Sequence, residues 1–181
     1  MAYPITKFWF YPFCSLMIRR VRGMDNIPSK APFIIVSNHE HLVDPLHILY
    51  PILKKLNKKV HFLSNARWWF LGDTICRQWA GCVPLFDRKQ AYNESKKLIE
   101  SGEIIGIFPE GGTKRTKNPK TGAVRLAIET KTAILPVGIK SSYIPFSSTV
   151  NIGKPLRLKK ERVKRLAVRL MRHIYRLRNE N

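Results

Sequence analysis

Two short apolar runs rich in β-branched residues, Phe33-Ile34-Ile35-Val36 and Ile104-Ile105-Gly106-Ile107, constrain this chain more than any other feature. Similar runs recur between stretches of helical spacing, and Gly and Pro bound them. The pattern predicts strands over 33–37, 60–63, 82–86, 104–108, 134–139 and 148–152, and helices over 45–57, 67–79, 90–101, 121–131 and 158–178. Such alternation reads as α/β, a mixed and mostly buried sheet flanked by helices. With 181 residues, no internal repeat and no low-complexity linker, the chain is expected to form a single domain with an adequate core.

The segments just beyond these two runs carry the chemistry. The first run leads into Ser37-Asn38-His39-Glu40-His41-Leu42-Val43-Asp44-Pro45, the second into Phe108-Pro109-Glu110-Gly111-Gly112-Thr113-Lys114-Arg115. Asp44-Pro45 reads as an N-cap followed by proline at the first helical position, so His39 falls on a strand-to-helix loop. Side chains five positions apart can converge there, as they cannot on one face of a continuous helix. A neutral imidazole accepts a proton from a hydroxyl near pH 7, and a carboxylate on its other nitrogen fixes the tautomer. Taken alone, a surface histidine beside a helix cap accounts for the same residues. In the second segment, Gly111 and Gly112 allow a turn whose N–H groups can cradle an anion, and Lys114 and Arg115 add charge. Glu110 beside those bases needs a task, such as holding them or a substrate hydroxyl; the plainer reading is an ordinary charged turn. Arg88, after Phe86-Asp87, is a second phosphate candidate, equally readable as a surface arginine paired with Asp87. A proton-transfer pair beside an anion-binding turn points to a phosphorylated substrate.

Charge points the same way. Lys and Arg total 33 against 12 acids, a net charge of +21, which argues for an acidic partner: nucleic acid, an anionic membrane face or an acidic protein. Three cysteines without CxxC spacing give no disulfide framework and no zinc knuckle, so a reduced, cytosol-facing location is the default. No transmembrane helix or signal peptide is expected. The uncharged stretch from Phe8 to Ile18 would reach about half a hydrocarbon core as a helix, and Pro12 interrupts it. Phe8, Trp9, Phe10, Tyr11 and Phe13 suit a segment lying among lipid headgroups. Trp68, Trp69, Phe70, Leu71 and Trp79 read as core, or as a face that dips into a bilayer. Val163, Leu166, Ala167, Leu170, Ile174 and Leu177 make one apolar face of a C-terminal helix; Lys164, Arg165, Arg169, Arg172 and Arg176 spread over the rest. Those bases form a solvated face that also suits anionic headgroups.

The same segments resemble the sequence blocks of the glycerophospholipid acyltransferases. His39-x4-Asp44-Pro45 is similar to their first block, Phe86-Asp87-Arg88 to the second, Phe108-Pro109-Glu110-Gly111 to the third and Ile134-Leu135-Pro136-Val137-Gly138-Ile139 to the fourth. Gly23-Met24-Asp25-Asn26-Ile27-Pro28 and Thr121-Gly122-Ala123-Val124-Arg125-Leu126-Ala127 also look like that family, and the likeness runs over about 20–155. It implies one acyltransferase domain over 1–181: an interfacial segment (1–22), a catalytic core (23–155) and a basic amphipathic helix (156–181). It further implies transfer of an acyl group from acyl-CoA or acyl-carrier protein to the sn-2 hydroxyl of 1-acylglycerol 3-phosphate, giving phosphatidic acid; glycerol 3-phosphate or another lysolipid is the alternative acceptor. His39 would be the general base and Asp44 would orient it. Arg88, Glu110, Gly111, Gly112, Lys114 and Arg115 would hold the phosphate, and the block around Pro136 would line the acyl or thioester site. No cofactor, metal or covalent acyl-enzyme is implied, so Ser37 and the cysteines need no nucleophilic role. The protein would be peripheral or monotopic on the cytosolic membrane face, with an anionic surface and a lysophospholipid as partners. One departure stands out: the family's third block usually reads Glu-Gly-Thr-Arg, and here Gly112 intervenes and Lys114 follows Thr113. Lys114 and Arg115 would then share the phosphate.

Two other classes fit less of the sequence. His39, Glu40, His41, Asp44 and His47 are dense enough for a metal hydrolase, but their spacing matches no ligand pattern. A pI near 10.4 and a basic helix suit a nucleic-acid-binding protein, yet no recognition motif is present and the two strand-end segments stay unexplained.

Overall fold

The computed structural model describes residues 7–65 and 72–180, and among these seven strands form one sheet between two layers of helices. The strands are β1 (Ile18–Arg22), β2 (Ile34–Ser37), β3 (Val60–Ser64), β4 (Val83–Pro84), β5 (Ile104–Ile107), β6 (Ile134–Lys140) and β7 (Ser148–Ile152). Their order is β1-β7-β6-β2-β5-β3-β4. From β6 to β4 all neighbours are parallel; β7 runs antiparallel to β6, and β1 runs parallel to β7. The helices are α1 (Lys7–Met17), α2 (Asp44–Leu56), α3 (Arg88–Glu100), α4 (Gly122–Glu129) and α5 (Val163–Asn179).

The unbroken apolar run of β2 has a direct cause. Successive side chains on a strand point to opposite faces, and both faces here are covered. Phe33 and Ile35 join a core with Phe10 and Cys14 of α1 and Ile48, Ile52 and Leu53 of α2. Ile34 and Val36 join a second core with Ala123, Val124, Leu126 and Ala127 of α4 and Leu166, Leu170, Met171 and Ile174 of α5. This is the buried α/β sheet that the sequence predicts.

Two glycines set close approaches that bear on the site. Phe62 lies opposite Gly106 in register, and a Cβ on Gly106 would fall 2.3 Å from its ring. At Gly138 a Cβ would fall 2.2 Å from the backbone nitrogen of Arg178, so the bare strand lets the last turn of α5 rest on β6. Asn151 finishes that contact by donating from Nδ2 to the carbonyls of Leu177 and Glu180, satisfying acceptors left open at the helix end.

The elements depart from the sequence reading at several points. The N-terminal aromatics form a helix, and Phe10 and Cys14 are core residues rather than interface residues; Phe8, Phe13 and Leu16 remain exposed. β1 is unforeseen because its sequence, Ile18-Arg19-Arg20-Val21-Arg22, is mostly arginine; charged side chains are tolerated there because it is an edge strand. The strand expected over 82–86 is only Val83–Pro84, with a proline that has no N–H to give. Of the helix expected over 67–79, the described part is a π-helical turn, Thr74–Trp79. Trp68, Trp69, Phe70 and Leu71 lie outside the described residues, as do the side chains of Trp9 and Trp79. Finally, α5 begins at Val163 rather than 158, because Leu156 exchanges backbone hydrogen bonds with Ile134 and keeps the chain extended.

Candidate active site

The carboxyl ends of β2, β5, β6 and β4 open on the same edge of the sheet, and the loops after β2, β5 and β6 build one cluster. The loop after β2 is anchored first by Asn38. Its buried side-chain amide donates to the carbonyl of Ile139 at 2.8 Å and accepts from the N–H of Ile139 at 2.8 Å. A side chain thus imitates one more residue of β2–β6 pairing, and the chain leaves the strand at a fixed angle.

Asp44 is fully buried, and its Oδ2 gathers three groups of that loop. The N–H of Glu40 donates to it at 2.6 Å, the N–H of His41 at 3.0 Å, and His39 Nδ1 lies 2.9 Å away. The expected capping role is therefore corrected: Asp44 begins α2 but caps none of its N–H groups, Val43 stands at the N-cap, and the carboxylate turns back into the loop. Burial alone would raise the Asp44 pKa; hydrogen bonds from His39 and from the backbone N–H groups of His41 and Glu40 outweigh it and hold the carboxyl below its usual range. An ionised Asp44 makes Nδ1 the protonated nitrogen of a neutral His39. Nε2 then carries the lone pair, and it meets no hydrogen-bond partner among the described residues. Phe108 stacks on the His39 ring at 4.3 Å between centroids, and Phe62 on Phe108 at 5.8 Å. The ring is thus held on one side by the carboxylate and on a face by an aromatic column that starts at Gly106.

Glu110 ties the two loops together. Its Oε2 accepts from the N–H of His39 at 2.6 Å, and its Oε1 accepts from the hydroxyl of Tyr175 on α5. Burial lifts its carboxyl above the usual range, against the opposing pull of the His39 N–H and of Arg115. Arg115 lies over the Tyr175 ring, 4.1 Å from its centroid, a cation–π contact. Gly111 turns with φ +72°, and a Cβ there would fall 2.3 Å from Lys120 Nζ. Gly112 faces open space, and Lys114 is exposed. Arg88 is exposed at the start of α3, where Asp87 caps the helix by accepting from the N–H of Gln90 at 2.6 Å rather than pairing with the arginine.

His39, Asp44, Glu110 and Arg115 are therefore linked through direct contacts, with Gly111 in the same turn. Pro136 is not brought to this cluster: it is buried within β6, and its carbonyl accepts from the N–H of Gly153 at 2.9 Å. The residue from that strand's end that does reach the loop is Ser141, whose hydroxyl lies 2.8 Å from His41 Nδ1. Arg178 of α5 holds Glu40 through its Nε, and Glu40 Oε2 accepts from the N–H of Ser141 at 3.3 Å. Asn38, Ser141, Tyr175 and Arg178 went unmarked in the sequence. Among the described residues no three His, Cys, Asp or Glu side chains are disposed to hold a metal ion. Of the five that crowd 39–47, His39 pairs with Asp44, Glu40 with Arg178 and His41 with Ser141, and buried His47 is held below its usual pKa chiefly by desolvation.

The chain is similar to known proteins in sequence and in fold. The Acyltransferase family model matches residues 18–140. A 1-acyl-sn-glycerol-3-phosphate acyltransferase of Borreliella burgdorferi is 33% identical over 129 residues, covering 65% of this chain and 49% of that protein. A probable 1-acyl-sn-glycerol-3-phosphate acyltransferase of Mycoplasma genitalium is 29% identical over 155 residues, 78% of this chain and 55% of its own length. The crystal structure of the 1-acyl-sn-glycerophosphate (LPA) acyltransferase PlsC from Thermotoga maritima superposes with a TM-score of 0.65 over 94% of this chain and 76% of that one, at 20% identity, a likeness of fold. The chain spans about half the length of the curated relatives it matches.

Proposed function

The chain belongs to the Acyltransferase family, and from that premise we propose that it moves a fatty acyl group from a thioester to the sn-2 hydroxyl of 1-acylglycerol 3-phosphate, giving phosphatidic acid. The observation that carries the reading is the His39–Asp44 pair: Nδ1 is engaged by a buried carboxylate at 2.9 Å, and Nε2, at the edge of the sheet, meets no hydrogen-bond partner among the described residues. The acceptor hydroxyl gives its proton to Nε2 as its oxygen attacks the thioester carbonyl carbon. Asp44 stabilises the imidazolium that forms. The tetrahedral intermediate collapses with rupture of the C–S bond, and the proton on Nε2 passes to the departing sulfur, leaving a free thiol and a neutral histidine. General base action of this kind contributes about 10²–10⁴ in rate, and holding hydroxyl and thioester together supplies much of the rest. Arg115, with Lys114 and Arg88, would receive the acceptor's phosphate; Glu110 braces the two loops.

Approach from a membrane surface is supported by the apolar rim of the same edge. Leu42, Tyr143, Ile144 and Phe146 are more than half exposed, and the N–H of Phe146 donates to the carbonyl of Leu16 at 2.8 Å, joining them to the exposed end of α1. Single exposed apolar side chains are ordinary, whereas a contiguous patch marks a contact surface. No described helix is long and apolar enough to cross a membrane. The basic face of α5 would add attraction to anionic headgroups.

Purified protein on liposomes carrying lysophosphatidic acid, offered acyl-CoA and acyl-carrier protein separately, tests the reading. Phosphatidic acid is the expected product. Product from glycerol 3-phosphate or from other lysolipids, with none from lysophosphatidic acid, would replace the acceptor.

A further inference from the structure

Arg19, Arg20 and Arg22 of β1, Lys140 at the end of β6 and Arg178 at the end of α5 line one groove of about 390 Å³, with Glu180 as its only acid. The sheet register builds it. Arg20 and Lys140 both lie opposite Thr149 of β7, from either side, and Arg22 lies opposite Asn151. Residues opposite one another share a face, and two strand spacings put the backbones of Arg20 and Lys140 roughly 10 Å apart. An irregularity between Ile18 and Arg20 leaves Arg19 exposed beside them. Among the described residues Arg178 is paired with Glu40, but Arg19, Arg20, Arg22 and Lys140 make no ion pair. Charges on β1 alone could serve to block edge-to-edge pairing. That role needs neither Lys140, two strands inward, nor a concave floor, and gathering cations without a counter-charge is unfavourable unless an anion joins them.

Position says which anion. His39 follows β2, near the middle of the sheet order, and the cations assigned to the acceptor's phosphate follow β5 and β4 on one side of it. The groove lies on the other side, across β6, β7 and β1, with Lys140 at the end of β6 nearest the catalytic loops. Arg178 stands in the groove and grips Glu40, the residue after His39; Lys140 precedes Ser141, which holds His41. Two phosphorylated substrates must meet at His39, and one basic region is still without a ligand.

We propose that this groove binds the phosphate groups of the acyl donor in the form of acyl-CoA, whose diphosphate and 3′-phosphate offer several negative charges to the converging bases. The thioester would then reach His39 from the side opposite the acceptor. This inference rests on the acyl-transfer reading.

The test reads binding separately from turnover, on the full chain. CoA, dephospho-CoA and 3′,5′-ADP are titrated into wild type, Arg20→Ala/Arg22→Ala, Lys140→Ala and a control, Arg165→Ala/Arg169→Ala, on the outer face of α5. Each arginine lost should weaken CoA about tenfold, and Lys140→Ala, which does not touch the edge strand, should weaken it severalfold even if the double variant folds poorly. Dephospho-CoA should bind wild type more weakly than CoA does, and the control should keep wild-type affinity. In the groove variants the KM for lysophosphatidic acid and binding to phosphatidylcholine vesicles containing phosphatidylglycerol should stay as in wild type. Unchanged CoA affinity in the groove variants, or an equal loss in the control, overturns the proposal. So does a loss confined to vesicle binding or acceptor KM, which would make the groove a headgroup site. A protein that binds CoA through the groove yet transfers no acyl group would keep the groove and remove the acyl-transfer reading.

Discussion

The loop after β2 and the loop after β5 meet at one edge of the sheet, yet they are held in opposite ways. The first is tied from within: Ser37, Asn38 and Asp44 are fully buried, Asn38 continues the strand pairing, and one carboxylate oxygen gathers three groups. The second is exposed from Gly111 to Arg115. It is held mainly at its ends, by the N–H of Gly111 on Phe108 and of Lys120 on Pro109, and by Arg115 on the Tyr175 ring. A base that must meet a developing charge gains from fixed geometry. A cation that greets a phosphate can stay solvated and mobile. Damage to the first loop should therefore appear in turnover and stability, and damage to the second in acceptor KM.

Asp44→Ala strains that contrast hardest. It takes the acceptor from the half-buried N–H groups of Glu40 and His41 and releases the His39 ring, so stability should fall by about 2–4 kcal/mol and kcat by about 10²–10⁴, read by denaturant melts and initial rates. A stable variant with normal kcat would mean the first loop is not held by this carboxylate.

Tyr175→Ala removes both the ring under Arg115 and the hydroxyl on Glu110. Acceptor KM should rise about tenfold, roughly one charge-assisted contact, with donor KM unchanged. Tyr175→Phe keeps the ring and should retain most of the acceptor affinity. If Phe is as poor as Ala, the bond to Glu110 matters more than the stacking.

Within the second loop, Arg115→Ala should raise acceptor KM severalfold and Lys114→Ala about twofold or less, because only the arginine is positioned by a contact. Equal effects would mean that the loop rearranges on binding.

The smallest effect is pH-dependent. Desolvation holds the folded pKa of His47 below its ordinary value, with His41 adding to the depression and Asp44 opposing it. The unfolded chain therefore binds the extra proton first, and stability should decline as pH falls from the unfolded value near 6.5 through the folded one. Asp44, also depressed, adds a loss at lower pH; Glu110, raised, works the other way. His47→Leu should flatten the decline of melting temperature between about pH 7 and 5, and an unchanged slope would place the buried proton elsewhere.

Much of the buried architecture could be read from the chain because burial writes itself into local pattern. β2, β5, β6 and β7 lie within a residue of their predicted bounds, and the apolar face of α5 is the buried one, with Met171 added. β1 was hidden because an edge strand can be mostly arginine. His39 and Asp44 stand close in sequence, so their convergence was visible. The braces were not: Tyr175 and Arg178 reach Glu110 and Glu40 across 65 and 138 positions, and periodicity says which face of a helix is buried, not what its end touches. Gly138 was the available signal, since glycine inside a strand marks a close backbone approach, and α5 makes that approach.

The role of His39 as the base is decided by the kcat of His39→Ala at saturating lysophosphatidic acid and acyl thioester, with a thermal melt on the same sample. A loss of about 10²–10⁴ is expected with little change in melting temperature, because among the described residues the ring's one polar tie is to Asp44, which keeps its two backbone donors. A folded variant that turns over like wild type would contradict this and take His39 out of the reaction.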